Sequence, residues 1–125
     1  MLSLSDSEWA VMRVLWAQDA PTLAEIRAAL AAEGIVWASN TILTFLSRLE
    51  KKGAVQADKS VFPGRYRAIV REEDCRKQAL AQMRQKIFGG SAARMLSCFL
   101  EQEGLTREEL EEIRKLLDER MGDQP

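Results

Sequence analysis

The chain has 125 residues, 46% hydrophobic and 30% charged, with a formal net charge of −1; that balance suits one domain, or one small domain with an appendage, and excludes a disordered polyelectrolyte. No apolar run approaches the ~20 residues of a membrane span, so direct membrane insertion is excluded. With no histidine and two distant cysteines, Cys75 and Cys98, the sequence cannot assemble Ser-His-Asp or Cys-His catalysis, a His-based zinc site, or a four-cysteine metal centre within one chain.

In chain order, helices dominate. Ser5-Asp6-Ser7-Glu8 is a capping box that opens a helix with Trp9, Met12 and Trp16 on one face, ending near Ala17 before Pro21. A second box, Thr22-Leu23-Ala24-Glu25, opens a helix that buries Leu23, Ile26 and Leu30 and ends near Glu33-Gly34. Ile35-Val36-Trp37 is expected as a very short strand, after which Ser39 caps a third helix that Gly53 closes. Ala54–Ala57 and Tyr66–Val70 read as strands, with Pro63-Gly64 marking the turn region between them. Glu72-Glu73-Asp74 starts a fourth helix carrying Leu80, Met83 and Ile87, and Gly89-Gly90 stops it. Ser91 starts a shorter one with Met95, Leu96, Phe99 and Leu100. A third box, Thr106-Arg107-Glu108-Glu109, begins the last helix, with the stripe Leu110, Ile113, Leu117 and Met121.

The expected class is therefore mainly α with a small β-hairpin: a winged helix-turn-helix domain at 1–70 and a three-helix domain at 71–125. The third helix is the informative element. Ile42, Phe45, Leu46 and Leu49 recur at helical spacing for burial. Asn40, Thr41, Thr44, Ser47, Arg48 and Lys51 fall on the other side, and Lys52, Lys59, Arg65 and Arg67 carry the positive charge into the hairpin. Residues 39–67 hold six Lys/Arg against two acids, a net +4 in a chain of −1. Cations gathered on one helix and one hairpin are the electrostatic footprint of phosphate binding, and the third helix of such a fold enters the major groove. Thr41, Thr44 and Arg48 suit base edges. Lys51, Lys52 and Lys59, flexible ammonium groups at a helix end and wing tip, suit the backbone.

Plainer readings stand beside these. Cations at a helix end also complement the helix dipole. Trp9, Trp16 and Trp37 lie on apolar stripes or a strand entry and read as core. Cys75 and Cys98 read as small hydrophobes, with Cys98 expected to be buried beside Met95 and Phe99. The N-terminal MLSLSDSEWA has no basic n-region, so no signal peptide is expected, and a cytoplasmic location with reduced thiols follows. There is no P-loop, no GxGxxG and no metal-ligand spacing, so neither an enzyme nor a cofactor is expected. Residues 71–125 carry 10 Lys/Arg against 12 Asp/Glu, a net −2. Their stripes (Leu80, Met83, Ile87; Met95, Leu96, Phe99; Leu110, Ile113, Leu117) lie on too short a segment to bury much alone, which predicts an isologous homodimer.

The order SDSEWAVMRVLW, T-x-A-E-I, W-x-S-N-T-I-x-T-x-L-x-R-L-x-K-K-G, then Phe88-Gly89-Gly90 and the closing pattern L-x-x-E-E-L-E-E-I-R-x-L-L, resembles the penicillinase-repressor family, the BlaI/MecI/CopY type, over roughly residues 4–120. The resemblance implies a dimeric repressor on a double-stranded palindromic operator with TACA/TGTA-like half-sites. For one branch it implies release by a membrane-bound metalloprotease sensor that cuts an Asn-Phe bond in the middle C-terminal helix. That bond falls here on Cys98-Phe99, where the phenylalanine is kept and the asparagine is not. The copper-responsive branch carries a C-terminal Cys-rich motif, and no cysteine follows Cys98. Between Ile42 and Thr44, often basic in relatives, stands Leu43, which can touch a thymine methyl but cannot donate to guanine. The competing reading is a winged-helix protein–protein adaptor, with the third helix packed on a partner.

Overall fold

The computed structural model describes residues 2–122, in the order α1 (Asp6–Ala17), α2 (Leu23–Ala32), α3 (Ser39–Lys51), β1 (Val55–Asp58), β2 (Arg65–Ala68), α4 (Glu72–Phe88), α5 (Ala92–Leu100) and α6 (Arg107–Gly122). This is the expected class, mainly helical with one hairpin. The three capping boxes form as read. Glu8 N–H donates to Ser5 Oγ at 3.2 Å and Ser5 N–H to Glu8 Oε1 at 2.8 Å, and the same exchange joins Thr22 with Glu25 and Thr106 with Glu109. Each box satisfies two amide groups that the first turn would otherwise leave without partners.

The chain divides into two compact units, one up to Ala81 and one from Gln82 on. The first holds the core: Val11, Met12 and Leu15 from α1, Ile26 and Leu30 from α2, and Ile42, Leu46 and Leu49 from α3, joined by Ala54, Val55 and Tyr66 of the hairpin. Trp9 and Trp16, 5.9 Å apart between ring centroids, are half-buried at its margin, and Trp16 Nε1–H donates to the Val70 carbonyl at 2.9 Å. The start of α4 also belongs to this unit, with Cys75 buried and lining a cleft with Leu2 and Val70. The expected boundary after residue 70 thus falls ahead of the division seen here. Burial, and then the charges of Asp74 and Glu72, push the Cys75 thiol up, which makes it a poor thiolate.

Four local expectations need correction. Residues 35–37 form no strand; Ile35 N–H is taken by the Leu30 carbonyl at 2.9 Å as α2 ends, and Val36 stands 80% exposed. The third extended segment is instead a single bridge between Thr22 and Arg65. Ser39 does not cap α3: Ala38 is the N-cap, without a side-chain bond, and Ser39 is the first helical residue. The strands pair Val55↔Ala68 through Asp58↔Arg65, so β1 starts one residue later than expected and β2 one residue earlier, ending at Ala68. Ala54 is diverted because its N–H closes α3 on the Leu49 carbonyl at 2.9 Å, a turn that needs the positive φ of Gly53, +79°.

In the second unit α4 ends at the Gly89-Gly90 pair, both at positive φ, and the Ser91 hydroxyl accepts from Arg94 N–H to start α5. No described residue of this unit is buried. Met95 and Ile113 are half-buried, whereas Met83, Ile87, Leu96, Phe99, Leu110 and Leu117 are exposed. Leu80, at the end of the first unit, is exposed as well. Cys98 is exposed, against expectation, because the stripe it lies beside has no cover within the unit.

The first unit also contains an ion pair that the sequence did not announce. Lys52 Nζ lies 2.6 Å from Glu8 Oε1 and donates to the Ser3 carbonyl at 2.7 Å, tying the end of α3 to the start of α1. Burial raises the Glu8 pKa, but the hydrogen bonds from Lys52 and Ser5 and the Lys52 charge together outweigh it and hold the carboxyl below its ordinary value. Lys52→Met strands a carboxylate that is 2% exposed and should lower stability by about 1–3 kcal/mol, read as a lower urea midpoint at unchanged slope. Because the folded pKa is depressed, the Glu8 contribution is complete above the ordinary glutamate value, about 4.3. It drains away as pH falls from there through the folded value. Glu8→Gln should flatten that acid limb in a pH series of denaturant melts.

Candidate nucleic-acid interface

α3 owes its orientation to its buried seam. With Ile42, Leu46 and Leu49 sunk in the core, Asn40, Thr41, Thr44, Ser47, Arg48 and Lys51 are all exposed. The Thr44 hydroxyl donates back to the Asn40 carbonyl at 3.0 Å, which fixes its rotor and leaves its oxygen free to accept. Phe45 is half-buried between two neighbours. Its ring centroid is 5.1 Å from that of Trp37, and the Arg48 guanidinium carbon lies 5.8 Å from the same centroid. This stack holds a planar, always-charged group in place by a cation–π contact of about 0.5–1 kcal/mol. Leu43, 38% exposed, is the apolar member of the exposed side.

The hairpin supplies the remaining cations. Lys59 is exposed at the head of the loop 59–64. Asp58 Oδ1 accepts from Ser60 N–H at 3.0 Å and from the Ser60 hydroxyl, and these bonds, the side-chain one first, lower the Asp58 pKa and set the loop's first turn. Arg65 Nη1 donates to the Ala20 carbonyl at 2.9 Å, clamping a residue strained at φ +45°. Arg67 pairs across the ladder with the Gln56 side chain. Lys52 stands apart from this set, since its ammonium is committed to Glu8 and Ser3.

Two residues here escape a reading of the sequence alone. Arg27, exposed on α2, donates from Nη1 to Ser39 Oγ at 3.4 Å and so adds a cation beside the start of α3. A signal for it exists, because Arg27 lies one position past buried Ile26 and so points away from the core. Phe62, in the hairpin loop, is fully exposed. Together with Thr22, Ala28, Ser39 and Tyr66, these two residues border a groove of about 620 Å³ between α2 and the wing. Among the described residues no cluster of His, Cys, Asp or Glu could hold a metal ion, and no helix is long and apolar enough to cross a membrane.

Comparison with known proteins agrees with the fold. The sequence is 27% identical over 117 residues to the methicillin resistance regulatory protein MecI of Staphylococcus aureus strain N315, covering 94% of each chain. It is 30% identical over 116 residues to the penicillinase repressor of Bacillus licheniformis, covering 93% of this chain and 90% of that one. Among solved structures, the DNA-binding domain of the repressor BlaI superposes with a TM-score of 0.50 at 33% identity, over 58% of this chain and 87% of that domain. A MarR family protein from Bacillus stearothermophilus shares the fold, with a TM-score of 0.54 at 16% identity over 98% of this chain and 76% of its own. The sequence model described as penicillinase repressor matches residues 4–119, and the chain belongs to that family.

Proposed function

We propose that this chain is a dimeric, sequence-specific transcriptional repressor that binds a palindromic DNA operator. The observation that carries the reading is the exposed side of α3. Six hydrogen-bonding or cationic side chains line it, opposite a seam that cannot rotate without unpacking the core. Thr41, Thr44 and Arg48 read base edges in the major groove, supported by Asn40 and Ser47, while Lys51, Lys59, Arg65 and Arg67 hold phosphates. Relatives named as repressors support the regulatory role. The adaptor reading requires a neutral or apolar exposed side on α3; Leu43 is the apolar residue there, and Arg48 and Lys51 weigh against it by charging that side.

The dimer rests on the apolar side chains that the second unit leaves in water. Leu96, Phe99, Leu110 and Leu117, with Met83 and Ile87 of α4, are too many large hydrophobes on so short a segment to stay uncovered. A second copy of the same surface covers them isologously and joins two reading heads, so that each half-site raises the effective concentration at the other. Induction by proteolysis at Cys98-Phe99 is the corresponding regulatory proposal. α5 has nine residues, none buried, and lies between Gly90 and Gly104, features that favour local opening. Cleavage there by a membrane-bound metalloprotease sensor separates α6 from the rest of the interface. The protein itself acts in the cytoplasm.

Arg48→Ala should weaken operator binding by about 1–3 kcal/mol and relax specificity at one base pair of each half-site. Lys59→Ala should weaken all sequences alike and reduce the salt slope by about one. Equal binding of random and palindromic duplexes at physiological salt would reject sequence-specific recognition. Leu117→Glu should yield a monomer by light scattering, together with loss of cooperative operator binding. For induction, Cys98→Ser should leave release intact. Full-length repressor that is nevertheless released from DNA in induced cells would refute the proteolytic route.

A further inference from the structure

Phe62 is the most exposed large hydrophobic side chain described, at 101% of its reference area, and it sits in the loop of a hairpin with Lys59 at the loop's start and Arg65 at its end. The loop is held on both sides. Asp58 accepts from the backbone and hydroxyl of Ser60, the Pro63 ring fixes its own φ, and Arg65 is anchored to the Ala20 carbonyl. A phenyl ring carried in water on a pre-set loop, between two cations, contributes nothing to the core of its own unit. Val61 beside it is 45% exposed, so the apolar tip spans consecutive residues. Across the groove from Phe62 lie Arg27 and the small side chains Ala24, Ala28 and Ala31, with Ser39 of α3 at the end.

We propose that Phe62 is a DNA-deforming residue: the groove between α2 and the wing takes one sugar–phosphate strand of the duplex, and Phe62 on its rim enters the minor groove beyond and wedges open a base step. The inference rests on the repressor reading of α3. With α3 in the major groove, the strand bordering that groove passes the start of α3, where Ser39 lines the groove between α2 and the wing. Its lining suits this occupant, with alanines that permit close approach and Arg27 for phosphate. An apolar side chain inserted from a positively charged frame is the general means by which proteins unstack and kink DNA from the minor groove. The step that deforms most easily, a pyrimidine–purine one, is favoured at that position, and a contact without hydrogen bonds thereby adds specificity outside the half-site core.

The test uses the full chain and a palindromic duplex selected by the wild-type protein from a randomised pool, with 2-aminopurine substituted in turn at each flanking step. Wild type should raise 2-aminopurine fluorescence at one symmetric pair of steps and shorten the end-to-end distance read by energy transfer. Phe62→Ala should abolish both signals and weaken binding about tenfold, with the salt slope unchanged because no charge is removed. Phe62→Leu should restore most of the affinity and the unstacking signal. If Phe62→Ala matches wild type in affinity and fluorescence, the wedge is wrong while the α3 reading stands. If affinity falls but wild type produces no unstacking at any step, Phe62 packs on the backbone and the wedge is equally wrong. Failure of the wild-type pool to converge on any sequence would instead overturn the repressor reading itself.

Discussion

Burial of Ile42, Leu46 and Leu49 against Met12, Ile26 and Leu30 sets the rotation of α3 about its own axis, and the properties of the interface follow from that rotation. Each of these side chains stabilises its position by about 1.5–3 kcal/mol, and successive helical residues are turned by about 100°. Moving the seam by one position would therefore expose several leucines or isoleucines and bury a charge, Arg48 in one direction or Glu50 in the other, without a counter-charge. The helix has no such alternative. The same constraint sends Thr41, Thr44 and Arg48 outward together, and half-buried Phe45 at the edge of the seam becomes the platform on which Arg48 rests. Recognition chemistry on this surface is a by-product of packing on the opposite one.

Local signals in the sequence are sufficient where the physics is local. The three capping boxes, the Gly53 and Gly89-Gly90 stops, and the apolar stripes of α1 to α3 all act within one or two helical turns, and all are present. The failures have a common cause, because they depend on partners distant in sequence. Residues 35–37 have the composition of a strand but no neighbour to pair with, whereas Thr22, in a capping position, finds Arg65. Lys52 looks like one more cation at a helix end until Glu8, 44 residues away, claims it. Cys98 sits beside an apolar stripe and still faces solvent, since a stripe announces the need for cover and not where the cover comes from. Phe62 is easily passed over because a phenylalanine near Pro63-Gly64 reads as turn composition; its exposure emerges only when the chain is folded.

The two units differ in how they meet the demands of folding. The first closes a core of thirteen buried residues with three mutually packed helices and a hairpin. The second contains well-capped helices but no buried side chain among its described residues. Capping and helix-dipole complementarity can hold short helices in shape, yet isolated helices of nine to sixteen residues are marginal in water. Most helical stability comes from covering an apolar face, so the second unit must gain its own from outside itself. On the proposed dimer this makes stability and assembly a single equilibrium. A cut that removes α6 would then destabilise the remaining helices as well as divide the interface, which turns one peptide bond into an effective switch.

The hairpin is fastened to the helical core at several independent points. Tyr66 is buried and its N–H donates to the Pro21 carbonyl at 3.0 Å; Arg65 holds the Ala20 carbonyl; Ile69 N–H returns to the Ala54 carbonyl at 2.9 Å, immediately after α3. These attachments join β2 both to the turn ahead of α2 and to the end of α3. The separation between α3 and the wing is thereby fixed before any ligand arrives. A reader with two elements at fixed spacing cannot adjust itself to a duplex of unsuitable groove width, so the cost of fit falls on the DNA. On the proposed wedge, sequences whose flanks bend or unstack cheaply should bind better than their direct contacts alone would suggest. On that proposal, discrimination by the α3–wing surface draws on DNA mechanics as well as on hydrogen bonds.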